Sequence, residues 1–311
     1  MKPSLLVLIP LKEDSYASVD AAYDIHYAPT PEQRAQVFDT LDGVPVRAVL
    51  TNGTNGLTAA EIDRLPALEF VSALGAGYEN IAVDHARTRG IVLVNGAGTN
   101  DDCVADHAFA LLLAVVRDIP QRDRATRDGI WRDKLPLRPN VSGKRLGVVG
   151  LGNIGMKVAR RAAGFDIETG YHNRKPREGS LLHYFDNVRD LAEWSDFLVI
   201  STPGGAGTQH LIDRAVLDAL GPQGFLVNVS RGSVVDTAAL AAALEAGTLG
   251  GAGLDVYESE PHPPQPLLHL KNVVLTPHMG GTSPEAVGAS VRHFLANAQR
   301  HFAGEPVLTP I

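Results

Sequence analysis

Leu146-Gly147-Val148-Val149-Gly150-Leu151-Gly152-Asn153-Ile154-Gly155 sets the frame for the whole chain. A short buried-type run reaches Gly150 and passes directly into a helical pattern from Asn153 to about Ala163. By itself a G-x-G-x-x-G spacing says little in a chain with 31 glycines. Between a strand and a helix it reads as a dinucleotide-binding turn. Gly150 permits the tight turn, Gly152 lets a pyrophosphate approach the backbone, and Gly155 lets helix and strand pack closely. Asn153 and Ile154 open a helix whose N-terminus offers unpaired N–H groups and partial positive charge to phosphates.

The next strand selects the cofactor. A dinucleotide site ordinarily carries Asp or Glu about 20 residues further on, to bind the ribose 2′-hydroxyl. Here the run Thr169-Gly170-Tyr171-His172 ends instead at Asn173-Arg174-Lys175. A carboxylate would repel a 2′-phosphate, whereas a guanidinium binds one in a bidentate fork. NADP(H) is therefore expected ahead of NAD(H), which stays possible. The competing reading of Arg174 and Lys175 is a solvated basic turn, and Arg177 either assists or faces water.

Working outward, apolar runs alternate with helical patterns, which predicts crossover units and parallel sheets. Expected strands are Leu5–Ile9, Val46–Leu50, Phe70–Leu74, Ile91–Val94, Phe197–Ile200, Phe225–Val229 and Val273–Leu275. Expected helices start at Thr30-Pro31, at the capping box Thr58–Glu61, at Asp101, at Asp236 and at Ser283-Pro284-Glu285. A length of 311 residues suggests two domains. The net charge of −7 argues against a nucleic-acid binder. The single cysteine, Cys103, excludes an intrachain disulfide and a thiolate metal cluster, and no metal site is expected. The longest apolar stretch, Ala108–Val116, is far short of the roughly 20 residues of a membrane span. A soluble cytoplasmic protein is expected.

Three strand ends carry chemistry. They are Asn228-Val229-Ser230-Arg231-Gly232, Leu254-Asp255-Val256-Tyr257 with Glu258-Ser259-Glu260-Pro261, and Thr276-Pro277-His278-Met279-Gly280. In an open parallel sheet, ligands bind beyond the carboxyl ends of the strands. Reduction of a 2-keto acid fits this set. Arg231 would grip the carboxylate and polarise the carbonyl. His278 would donate the proton as general acid, and Glu260 would fix its tautomer and stabilise the imidazolium. Singly, these residues read as a loop histidine, a surface ion pair and an exposed acid; together, downstream of a dinucleotide turn, they read as a site.

The chain resembles the D-isomer-specific 2-hydroxyacid dehydrogenases, most narrowly the glyoxylate/hydroxypyruvate reductases. The resemblance spans nearly the whole chain and includes Gly75-Ala76-Gly77-Tyr78-Glu79-Asn80-Ile81 and Val104-Ala105-Asp106-His107-Ala108. It implies two doubly wound parallel-sheet α/β domains, Rossmann-like and flavodoxin-like, with a cleft between them. Residues 1–98 plus 284–311 would bind substrate and 99–283 the dinucleotide, with hinges near Gly98 and Gly281. The implied catalytic residues are Arg231, Glu260 and His278. Asp255 would contact the nicotinamide end, with Thr202, Pro203, Val229, His278 and Gly280 among the further cofactor contacts. Substrate would meet Leu74, Gly75, Ala76 and Gly77 as well as Arg231 and His278. The helix near Asp106–Arg117 would pack against a second subunit in a homodimer, although its composition suits internal core equally.

Two departures stand out. Pro203-Gly204-Gly205-Ala206-Gly207 is richer in glycine than the usual loop, and Asp106 replaces a common glutamate. A bulkier 2-keto acid, an aryl pyruvate or sugar acid, is the alternative substrate; Leu74, Trp131 and Met279 are candidates for setting pocket size. A dinucleotide-sensing corepressor-like protein is the alternative of another class.

Overall fold

The computed structural model describes residues 2–311, which divide into two compact units, 2–100 with 282–311 and 101–281. In the first, five parallel strands run β1 (Ser4–Val7), β2 (Asp24–Tyr27), β3 (Val46–Thr51), β4 (Phe70–Ala73) and β5 (Val92–Asn95). Their spatial order is β2-β1-β3-β4-β5, the flavodoxin-like arrangement. Alternation along β1 explains why both faces need cover. Leu6 and Leu8 enter one apolar cluster with Val49, Val71 and Leu93, while Leu5 and Val7 enter another with Phe70 and Val94. The second cluster is closed by the helix Pro284–Phe302, which returns late in the chain and inserts Val291, Phe294 and Ala298. Ser283 caps that helix by accepting from the Ala286 amide, as the Ser-Pro-Glu start predicts.

In the second unit seven parallel strands follow: β6 (Arg145–Val149), β7 (Glu168–His172), β8 (His183–Tyr184), β9 (Phe197–Ile200), β10 (Phe225–Asn228), β11 (Gly251–Leu254) and β12 (Val273–Leu275). The order β12-β11-β10-β9-β6-β7-β8 starts at β6 and winds outward both ways, so the topological switch lies between β6 and β9. Val148, Val199 and Val227 face one apolar cluster, and Val149, Leu198 and Leu226 the other.

The helix Asp101–Val116 belongs to this core. Val104, Ala108, Leu111, Leu112 and Val115 are buried in it, and the exposed acids Asp102 and Asp106 pair with Lys157 and Arg161 at 2.6 Å each. Its apolar face is thus used inside the unit. Four exposed large hydrophobics lie just after it, at Ile119, Ile130, Trp131 and Leu137.

Several elements escape periodicity. Strand β2 reads Asp-Ile-His-Tyr and β8 is two residues long, so neither shows an apolar run. The helices Glu13–Asp20, Ile119–Arg127, Val188–Trp194 and Arg214–Leu220 are also absent from the sequence reading. Among the described residues, no helix is long and apolar enough to cross a membrane.

Phe294 is 1% exposed and its ring lies 5.8 Å from Tyr23 and 6.5 Å from Phe70. Phe294→Ala is expected to destabilise the first unit by about 3–5 kcal/mol, measured by denaturant unfolding against wild type.

Candidate active site

Because the second sheet is parallel throughout, its strands deliver their C-terminal residues to one edge. Gly150 follows β6 with φ of 98°, where a side chain would be strained. A Cβ there would also stand 2.6 Å from the Thr202 amide nitrogen, so the glycine lets the turns after β6 and β9 touch at the switch point. Ser201 Oγ seals that contact by donating to the Gly150 carbonyl at 2.8 Å. Gly155 presses on the Gly150 carbonyl and on Val148, the close helix–strand packing expected of it. Gly152 is different: a Cβ there would meet nothing within 4 Å. It is the N-cap of the helix Asn153–Ala163 and brings no side-chain cap, so the first-turn amides face open space. That geometry fits a pyrophosphate.

Asn173 after β7 holds this turn, its Oδ1 accepting from the Leu151 amide at 2.6 Å. Arg177 is exposed, and its Nη1 donates to the Leu151 carbonyl at 2.9 Å. Arg174 and Lys175 are exposed and make no side-chain hydrogen bond or ion pair among the described residues. Thr202 is half-buried, Pro203 exposed and Val229 buried at the ends of β9 and β10.

The end of β10 is organised by Asn228. Its buried Oδ1 accepts from the Ser230 amide at 3.0 Å and hydroxyl at 2.9 Å, and its Nδ2 donates to the Arg231 carbonyl at 3.0 Å. Arg231 Nη1 donates to the Ser230 carbonyl at 2.6 Å, and its aliphatic stem passes against Gly204. A Cβ on Gly232 would fall inside the backbone of Tyr257. That glycine therefore brings the segment after β10 against the segment after β11, where Glu260 lies.

Glu260 and His278 meet directly, Oε2 to Nδ1 at 2.7 Å, with the two side chains 24% and 38% exposed. The other Glu260 oxygen accepts from the Tyr257 amide at 2.8 Å. Burial alone raises the Glu260 pKa. The hydrogen bonds from His278 and Tyr257 and the charges of His278 and Arg231 outweigh it and hold the carboxyl below its ordinary range. The imidazole is thereby fixed with Nε2 as its free ring nitrogen. Glu260 thus takes the His278 ring and feels the Arg231 charge, although the three residues are distant in sequence.

His278 has φ of 50°, an unusual conformation for a non-glycine residue. Asp255 supports it. The carboxylate accepts from the Met279 amide at 2.9 Å, the Gly280 amide at 2.7 Å and the Thr276 hydroxyl at 2.6 Å, and its own carbonyl accepts from the His278 amide at 2.8 Å. Asp255 is buried and braces the loop that carries the histidine, and Gly280 is buried beside it. Asn228, Thr276 and His107 were not singled out from sequence; polar residues at the ends of buried strands were the available signal for the first two.

In the first unit, Leu74–Gly77 follow β4 as a turn. The Leu74 amide donates to Thr51, the Gly75 carbonyl accepts from Gly96 at 2.8 Å, and the Ala76 carbonyl accepts from Asn95 Nδ2 at 2.7 Å.

Comparison with known proteins agrees with this architecture. Residues 109–280 match the family model described as D-isomer specific 2-hydroxyacid dehydrogenase, NAD binding domain. The chain is 39% identical to a hydroxyphenylpyruvate reductase of Plectranthus scutellarioides over 99% of its own length and 98% of that protein. It is 40% identical to a glyoxylate/hydroxypyruvate reductase of Arabidopsis thaliana, covering 86% of this chain and 85% of the relative. The crystal structure of an NADPH-dependent glyoxylate/hydroxypyruvate reductase of Sinorhizobium meliloti, in complex with NADP and malonate, matches with a TM-score of 0.89. The identity there is 35%, with 100% of this chain and 97% of the other covered. The chain belongs to the D-isomer-specific 2-hydroxyacid dehydrogenases. It is an NAD(P)-dependent oxidoreductase of that family.

Because the folded Glu260 pKa is depressed, its stabilising contribution is present above the ordinary value of 4.5 and is lost as pH falls through the lower folded value. The difference in unfolding free energy between wild type and Glu260→Gln is expected to shrink as pH falls below 4.5, followed by urea titration at each pH.

Proposed function

We propose that the protein is an NADPH-preferring reductase of small 2-keto acids, glyoxylate or hydroxypyruvate, yielding the D-2-hydroxy acid. The His278–Glu260 pair beside Arg231, at the end of a dinucleotide-binding sheet, carries this reading. Arg231 presents a planar fork that binds the substrate carboxylate and polarises the carbonyl. His278 Nε2 donates a proton to the oxygen as negative charge develops there, and takes it back in the reverse direction. Glu260 keeps the ring in orientation and offsets the imidazolium charge. When bound, the nicotinamide dinucleotide supplies the hydride to the carbonyl carbon.

The turn at Gly150, Gly152 and Gly155, with Asn153 and Ile154, holds the pyrophosphate in this reading, and Leu74–Gly77 keep their expected role as a substrate contact. Arg174 and Lys175 give the preference for NADPH, because both are exposed and without side-chain partners among the described residues. The relative from Sinorhizobium meliloti, NADPH-dependent and crystallised with NADP, supports that preference. We also take the protein as a homodimer; Trp131 and Leu137, 67% and 99% exposed, supply apolar surface for a second copy.

One observation favours a second reading. The hydroxyphenylpyruvate reductase matches the chain over nearly its whole length, which supports an aryl 2-keto acid as substrate. A panel of glyoxylate, hydroxypyruvate, hydroxyphenylpyruvate and 2-ketogluconate, assayed with NADPH and NADH, separates the two. The highest kcat/KM on a small acid upholds the proposal, on an aryl acid the second reading. Dinucleotide binding without turnover of any acid upholds a sensor instead.

His278→Gln is expected to lower kcat by about 10²-fold or more, and a near-normal rate removes it from the proton-donor role. Replacing Arg174 and Lys175 together by Ala is expected to raise KM for NADPH far more than for NADH. Equal effects on both cofactors overturn the assignment.

A further inference from the structure

The Asp255 carboxylate is 3% exposed and already holds three donors from the β12 end: the Thr276 hydroxyl and the Met279 and Gly280 amides. One side chain joins them from the helix Asp101–Val116. His107 Nε2 lies 2.9 Å from Thr276 Oγ1 and 3.3 Å from Asp255 Oδ1. The Thr276 hydroxyl has a single hydrogen, and the carboxylate oxygen 2.6 Å away can only accept it. Towards His107, Thr276 Oγ1 is therefore an acceptor, so His107 Nε2 carries a hydrogen and donates. Helix, strand end and loop are thus joined in one direction: His107 to Thr276, Thr276 to Asp255, and the two amides after His278 to Asp255.

We infer that His107 is a positioning residue for His278, acting through Thr276 and Asp255. This rests on His278 being the proton donor. The left-handed conformation of His278 persists only while its neighbours over-determine it. Met279 and Gly280 do so through Asp255, and His107 fixes the hydroxyl that fixes Asp255. Without that N–H, Thr276 is free to rotate, Oδ1 of the buried carboxylate is left with the Met279 amide alone, and the loop relaxes.

Four variants test this. His107→Leu fills the space without a donor and is expected to lower kcat roughly 10-fold or more, since misplacement by about 1 Å costs up to 10²-fold. NADPH affinity, read by fluorescence titration, stays at the wild-type value. His107→Gln offers an N–H at similar reach and is expected to restore most of kcat. Thr276→Val, close in volume but without the hydroxyl, is expected to behave as His107→Leu does, and Thr276→Ser as wild type. Wild-type kcat in His107→Leu or Thr276→Val, with His278→Gln inactive, overturns the inference and leaves the proton donor standing. A loss that His107→Gln does not restore reports packing rather than donation and overturns it too. If His107→Leu does not fold, the Thr276 pair decides by the same criterion. A His278→Gln enzyme of normal rate removes the underlying reading first.

Discussion

Seven strands that all run one way impose the constraint on which the candidate site depends. Each strand hands its next residue to the same edge of the sheet, so residues 52 positions apart, Gly150 and Thr202, become neighbours where β6 and β9 end side by side. The glycine turn follows β6, Asn173 follows β7, Arg231 follows β10, Asp255 follows β11 and His278 follows β12. Polar chemistry gathers there because the strand interiors are apolar on both faces and their ends are not.

Gathering is not aiming, and aiming is done by hydrogen bonds to two buried side chains. Asn228 spends both ends of its amide on the turn that presents Arg231. Asp255 binds the amides on the far side of His278. A left-handed residue other than glycine costs about 1–2 kcal/mol. Each hydrogen bond to a charged acceptor returns roughly 1.5–3 kcal/mol, so the Met279 and Gly280 amides together outweigh that strain. The histidine can therefore be held in an orientation its own backbone would not choose, with Nδ1 on Glu260 and Nε2 left for chemistry.

The glycine turn and the helix starts were legible because their signals are local. Gly150 to Gly155 carries its own φ requirement and its own helix start, and Thr30, Thr58, Asp236 and Ser283 each cap the helix their neighbours imply. Arg231, Glu260 and His278 were legible as residue types at strand ends. Strands β2 and β8 were not, since neither carries an apolar run. The bracing role of Asp255 was not legible either, because nothing in its neighbourhood along the chain shows that Thr276, Met279 and Gly280 fold back onto it.

Local pattern alone therefore determined the parallel-sheet class, the glycine turn and which polar residue types stand at the strand ends, since period, capping and turn chemistry act over a few residues. The tertiary structure decided which of those groups touch, which polar side chains brace them and that the helix Asp101–Val116 is core. Those outcomes depend on contacts between segments far apart in the chain, such as His107 with Thr276, 169 residues on, which no spacing along the chain encodes.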